Sequence, residues 1–355
     1  MSDAARGRLS GAAPDIDSLA EIRLRIAASP HLRTSHSTPK IMWNVVGSLV
    51  PILVAATWFF GPSAPLVVAA ATLGSWLTER LLGPKGSTRD GSAIITGLLL
   101  GLILPPGFPL WMAFIGGAFG VGFGKLIFGG LGQNVFNPAL LGRAFLQAAF
   151  PATITTWPVQ PENWWALRGD NFALPLMSPS APDLMTGATP LGLMKFERIA
   201  TPTTDLMLGA TSGSIGETAG LLILLCGGYL AIRRYLDWRI PLGIFLTVGL
   251  FSGILYWIGP DRFPTPWFML FSGGLILGAV YMATDMVTSP VTAAGAWIFS
   301  IGIGLLVVLI RIWGGLPEGV MYAILFMNAL VPFINRVTQP RVFGHSRGRP
   351  KEAEA

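Results

Sequence analysis

The first group in this sequence that invites chemistry is a hydroxyl set among small neighbours. The run Asp183-Leu184-Met185-Thr186-Gly187-Ala188-Thr189-Pro190-Leu191 places Thr189 directly after Gly187 and Ala188. There its side chain is sterically open to an enzyme that esterifies it with a phosphate-bearing group. An ordinary turn has the same composition, so the residue types alone leave both readings standing. Downstream, Gly213-Ser214-Ile215-Gly216-Glu217 leads into an apolar run, and the free N–H groups of a helix start can hold an anion. Two ionisable residues, Arg143 and Asp285, fall inside or beside apolar stretches. Such groups are costly in lipid unless they face a partner or a cavity. For Asp285 the plain alternative is the cytoplasmic end of a span.

Two other motifs carry less. Gly120-Val121-Gly122-Phe123-Gly124-Lys125 has Phe119 and Leu126 where a phosphate-binding loop needs Gly and Ser or Thr, so it is assigned to helix packing. Asn137-Pro138-Ala139 resembles the half-helix cap of water channels, but the second copy such a pore requires is missing. The reading is an Asn N-cap with Pro in the first turn of a short helix.

The elements that must position these residues are membrane helices. Of 355 residues, 52% are apolar and 12% charged, and the mean hydropathy is +0.60. Apolar runs recur at the length of roughly 20 residues needed to cross a hydrocarbon core of about 30 Å. Spans are expected near 42–60, 64–82, 92–104, 109–128, 138–150, 217–232, 240–258, 265–283, 295–313 and 319–335. The third and fifth are short and bounded by Pro105-Pro106 and Asn137-Pro138, which predicts broken or tilted helices. Residues 1–40 hold no apolar signal-peptide core and are expected to persist as a tail. The lone Cys226 excludes an intrachain disulfide and a self-contained iron–sulfur cluster. The histidines His31, His36 and His345 lie in the polar tails, away from any haem buried in the spans.

Lys and Arg set the orientation. Both tails and the even-numbered connections, with Arg80, Lys85, Arg89, Lys125, Arg233, Arg234 and Arg239, are expected to face the cytoplasm, and the charge-poor 151–216 connection the exterior. The net charge of +6 is then a topology signal and no sign of nucleic-acid binding. At an offset of 185 residues Ile127-Phe128-Gly129-Gly130-Leu131 faces Ile312-Trp313-Gly314-Gly315-Leu316, and Pro105 faces Pro290. The expected fold is therefore an all-α integral membrane protein of about ten transmembrane helices in two inverted five-helix repeats. Its parts are a 1–40 tail, repeats 41–150 and 217–335, the 151–216 external loop, and a basic 336–355 tail.

Asp183-x-x-Thr186-Gly187-Ala188-Thr189 resembles the Asp-x-x-Ser/Thr-Gly-Ala-Thr flavinylation motif of the RnfD and NqrB family. Ser29-Pro30-His31, Asp90-Gly91-Ser92-Ala93-Ile94-Ile95-Thr96-Gly97, Gly132-Gln133-Asn134-Val135-Phe136-Asn137-Pro138-Ala139, Gly213-Ser214-Ile215-Gly216-Glu217 and Ala283-Thr284-Asp285-Met286-Val287-Thr288-Ser289-Pro290 look like family signatures in family order. The resemblance implies FMN joined to Thr189 through a phosphoester by a separate flavin transferase, with Asp183, Thr186, Gly187 and Ala188 shaping the acceptor turn. It also implies noncovalent riboflavin, partners of the RnfA, RnfB, RnfC, RnfE and RnfG type, and a bacterial inner membrane. The implied activity is electron relay between ferredoxin and NAD coupled to sodium or proton movement. Gly213, Ser214 and Gly216 are expected to line the flavin, and Arg143 to steady it when reduced and anionic. An NqrB-like subunit of a sodium-pumping NADH–quinone reductase remains the alternative within the family. A non-redox inverted-repeat transporter, which would hold no flavin, is the alternative outside it.

Overall fold

The computed structural model describes residues 37–158, 164–175, 187–209, 211–217 and 220–340. Each of the ten expected stretches contains helix. The helices are α1 (Thr38–Phe60), α2 (Ser63–Leu82), α3 (Ser92–Leu102), α4 (Leu110–Val121, running into a π turn Gly122–Leu126) and α5 (Pro138–Ala149). They continue as α6 (Gly220–Ile232), α7 (Arg239–Ile258), α8 (Pro266–Phe271), α9 (Ala293–Trp313) and α10 (Val320–Thr338). Four of them, α1, α7, α9 and α10, are long and apolar enough to cross a membrane. α2 is also 20 residues long; α3, α4 and α6 are shorter apolar helices, and proline bounds two of the short ones: α3 stops just before Pro105-Pro106, and α5 begins at Pro138. Asn137 caps α5, its Oδ1 accepting from the Ala139 and Leu140 N–H groups at 3.0 and 3.4 Å, while its Nδ2 donates to the Met282 carbonyl at 3.1 Å.

One break is unexpected. The eighth stretch is not a continuous helix over 265–283: α8 ends at Phe271, and the chain resumes helix at Leu275–Leu277 and a π turn at Gly278–Met282. Gly273 turns at φ +64° between them, in the left-handed region a residue with a Cβ enters reluctantly. The sequence signal was Ser272-Gly273-Gly274, hidden in an apolar run.

A large core runs through the bundle, including Leu49, Leu100, Phe108, Ile244, Phe299 and Ile303, with a small separate cluster of Leu191, Leu206 and Phe268. In the first half α2 packs on α3 and α4, and α4 on α5; in the second α7 packs on α9 and α8, and α9 on α10. Glycines set the separation. A Cβ on Gly97 would sit 2.2 Å from Thr72 Cα, and one on Gly74 would sit 2.1 Å from the Phe114 carbonyl oxygen. Backbones this close leave no room for a methyl group. Gly74→Ala is therefore expected to lower the thermal midpoint of the purified protein by the equivalent of about 1–3 kcal/mol or more, the usual cost of overpacking. An unchanged melting curve in detergent would show that α2 and α4 are not held at this distance.

The described residues of the connection after α5 bond to the end of the bundle. Asn171 donates to the Pro106 and Phe108 carbonyls, both at 3.0 Å. Arg168 donates to the Phe59 carbonyl at 2.8 Å and lies over the Phe60 ring at 5.1 Å. Burial pushes the Arg168 guanidinium pKa down to about 10. Exposed Trp58, Trp165, Trp257, Trp267 and Trp313 ring this loop end, and Trp43 and Trp238 the opposite end, as aromatic belts do at the two surfaces of a bilayer.

Candidate functional site at the loop end

Thr189 stands at the start of a helical turn, Pro190–Gly192, where its Oγ1 accepts from the Gly192 N–H at 3.1 Å. The segment leading to it is held by the Gly187 N–H, which donates to the Trp157 carbonyl at 2.8 Å. Gly187, Ala188 and Thr189 form one wall of a cavity of about 420 Å³, within the roughly 300–1,000 Å³ typical of small-molecule sites. Arg143 and Gln147 of α5 form another part of the lining, together with Trp157, Glu318 and Tyr322. Two residues far apart in sequence, Arg143 and Thr189, thus face one space. Asp183 and Thr186 lie outside the described residues.

Arg143 is not free. Its Nη1 donates to the Ile103 carbonyl at 2.6 Å, at the point where α3 ends, and its Nη2 pairs with Glu318 in the turn between α9 and α10. A charge at membrane depth has acquired both a helix-end dipole and a counter-ion, the two partners such a group needs. Glu318 was missed in the sequence because Pro317-Glu318-Gly319 looks like any polar turn. Behind this pair, Arg311 of α9 donates to the Met269 and Ser272 carbonyls at 2.6 and 2.9 Å. One arginine therefore closes each broken helix end, of α3 and of α8.

The structure sets Gly213, Ser214 and Gly216 apart from Thr189. None of them lines this cavity. The Ile215 N–H donates to the Leu104 carbonyl at 3.1 Å, and a Cβ on Gly216 would meet Leu102 and Leu277 at 2.9–3.0 Å. The segment is a packing joint between the two broken helices, and Gly216 is small because it must be.

At the opposite end of the bundle a second charged group is buried. Lys125 donates to Glu79 at 2.7 Å and to Ser92 Oγ at 2.5 Å; Ser92 Oγ in turn donates to Asp90 at 2.5 Å. Lys125 and Glu79 are 2% and 0% exposed, so Lys125 is no surface topology charge as the sequence suggested. It pins α4 to α2 and α3. Asp285, for which a span end was the plain alternative, accepts from the Val287 N–H and Thr288 Oγ1 locally and lines a cavity with Lys125, Asn134 and Tyr281. Among the described residues there is no group of three or more His, Cys, Asp and Glu side chains able to hold a metal.

A sequence profile of the NQR2, RnfD, RnfE family matches residues 25–344. The chain belongs to that family. Curated relatives cover nearly its whole length. It is 40% identical to the D component of the Na(+)-translocating ferredoxin:NAD(+) oxidoreductase complex of Acetobacterium woodii, over 94% of this chain and 99% of that one. It is 39% identical to the D component of the proton-translocating ferredoxin:NAD(+) oxidoreductase complex of Clostridium ljungdahlii, over 91% and 96%. It is 42% identical to the D component of the ion-translocating oxidoreductase complex of Stutzerimonas stutzeri, over 88% and 94%. Like other members of this family, the chain is a helical membrane protein, and the relatives named here are subunits of an ion-translocating oxidoreductase.

Proposed function

We propose that this chain is the electron-relay subunit of a membrane ferredoxin–NAD oxidoreductase complex that moves sodium or protons, and that it carries FMN esterified to Thr189. The observation that carries this reading is the Thr189 hydroxyl on the wall of a 420 Å³ cavity that Arg143 also lines. Trp157 and Tyr322 offer flat surfaces for a ring system there, and Gly187 and Ala188 are small where they line the cavity beside the hydroxyl of Thr189, which is itself only 6% exposed. In maturation a flavin transferase would join Thr189 Oγ1 to the flavin-side phosphorus of FAD; the hydroxyl loses its proton and AMP leaves. A flavin held in this way supplies one-electron transfer between carriers on neighbouring subunits. The chain's own residues position it: Thr189 tethers, Arg143 places a cation opposite the tether, and Glu318 sets how much of that charge is felt.

The wider arrangement follows from the same reading. The partners are subunits of the RnfA, RnfB, RnfC, RnfE and RnfG type in a bacterial inner membrane, with both termini cytoplasmic and the Thr189 loop external. The two halves are inverted five-helix repeats. This is supported by matched packing, α2 on α4 and α7 on α9, and by a buried cation in the last turn of the fourth helix of each half, Lys125 at one end and Arg311 at the other. A noncovalent riboflavin belongs to the same reading, with no residues of this chain assigned to it.

Co-expression with a flavin transferase, followed by denaturing electrophoresis under ultraviolet light, tests the tether. A fluorescent wild-type band and a dark Thr189→Val band are expected. A dark wild-type band overturns the covalent flavin, and a fluorescent Thr189→Val band moves it to another residue. Identification of the proteins that co-purify in detergent separates this assembly from a quinone-reducing one.

A further inference from the structure

The helical segment that follows Thr189 has a second face. Gly192, Phe196 and Glu197 turn toward the Thr189 cavity, whereas Leu191, Met194, Lys195 and Arg198 line a separate cavity of about 190 Å³ beside the end of α9 and the start of α8. Arg262 and Arg311 complete its basic lining, and no carboxylate contributes to it. Four cations around one small space repel one another unless something negative joins them.

None of these four cations is in a salt bridge with a carboxylate among the described residues. Lys195 donates to the carbonyls of Gly314 at 2.5 Å, Leu316 at 2.9 Å and Ile310 at 3.3 Å, so only backbone dipoles at the end of α9 balance it. Arg262 lies over the Phe263 ring at 5.6 Å. Arg311, 5% exposed, keeps a buried Nε with no hydrogen bond, although Glu217 and Glu318 lie within electrostatic reach on its inner side. Arg198 stands at φ +57° and ψ +28° at the end of its helical turn, a position ordinarily left to glycine or asparagine. An arginine kept there against its backbone preference points to a use for its side chain. The cavity also sits at the level of exposed Trp257, Trp267 and Trp313, the depth at which headgroup phosphates lie.

We propose that this cavity binds a phosphate group, held by Arg198 and Arg262 and attracted by the charges of Lys195 and Arg311, either as the headgroup of an anionic phospholipid or as a free anion. Guanidinium forks suit phosphate oxygens because they form paired, charge-assisted hydrogen bonds. The site does not depend on whether flavin is attached at Thr189.

The test uses full-length protein stripped of lipid in detergent. In one arm it is returned to nanodiscs of phosphatidylglycerol or of phosphatidylcholine and the lipid retained after extraction is counted by native mass spectrometry. In the other, inorganic phosphate is titrated against the thermal midpoint. Arg198→Gly and Arg262→Ala are run beside the wild type; the first suits the left-handed backbone and keeps the protein folded. Each is expected to weaken binding about tenfold while the ligand-free midpoint stays level or, for Arg198→Gly, rises. Selective phosphatidylglycerol retention lost in the variants identifies the headgroup. A phosphate-dependent midpoint lost in the variants, without retained lipid, identifies the free anion. Wild type that responds to neither more strongly than the variants overturns the site.

Discussion

Lys125→Met is expected to destabilise the protein by about 3–5 kcal/mol, because it strands the Glu79 carboxylate in a place that water does not reach. Glu79 is fully buried, one of its oxygens has no hydrogen bond, and the other has Lys125 Nζ at 2.7 Å. Removing the cation leaves the carboxylate as a buried, uncompensated charge. Ser92 also loses a donor at 2.5 Å, which loosens the start of α3. The double variant Glu79→Leu/Lys125→Met should recover most of the loss, since apolar replacement of a whole buried pair is often neutral. Thermal unfolding of the two singles and the double in one detergent gives the cycle. If the Lys125 single melts with the wild type, the pair carries no stability.

That pair also marks the limit of what the sequence displayed. Helix positions were legible because apolar length and proline punctuation are local properties: α3 ends before Pro105-Pro106 and α5 starts at Asn137-Pro138, as expected. The small-residue surroundings of Thr189 were legible for the same reason, but the burial of Thr189 itself, 6% exposed, was not. Partners across helices were not. Lys125 looked like a topology marker, and neither Glu79 nor Arg311 stood out. Each acquires its meaning from a residue on another helix, and no sequence period records which helices meet. The break at Gly273 escaped because one glycine pair among 44 glycines is a weak signal until φ is known. Gly213, Ser214 and Gly216 were expected beside the flavin; they lie outside the Thr189 cavity, with Gly216 against Leu102 and Leu277.

Arg143 and Glu318 should move the reduction potential of a Thr189-bound flavin in opposite directions. Adding an electron to a group in this cavity adds negative charge beside a guanidinium, so Arg143 favours the reduced form. Arg143→Met is then expected to lower the midpoint by about 60 mV or more, the one-electron equivalent of a tenfold change in relative affinity. Glu318→Gln removes the anion that neutralises Arg143 and should raise the midpoint. Arg143→Lys keeps the charge but loses the two-directional grip on Ile103 and Glu318. Its potential should stay near the wild type while its thermal midpoint falls, because a single ammonium replaces the planar fork at the end of α3. Potentiometric titration of the purified flavoprotein reads the first quantity and scanning fluorimetry the second. A role confined to holding the bundle together would lower stability in all three variants and leave the potentials unordered by charge. An ordered series, Glu318→Gln above wild type and Arg143→Met below, assigns the pair to the redox site through electrostatics that α5 and the α9–α10 turn deliver from opposite halves of the chain.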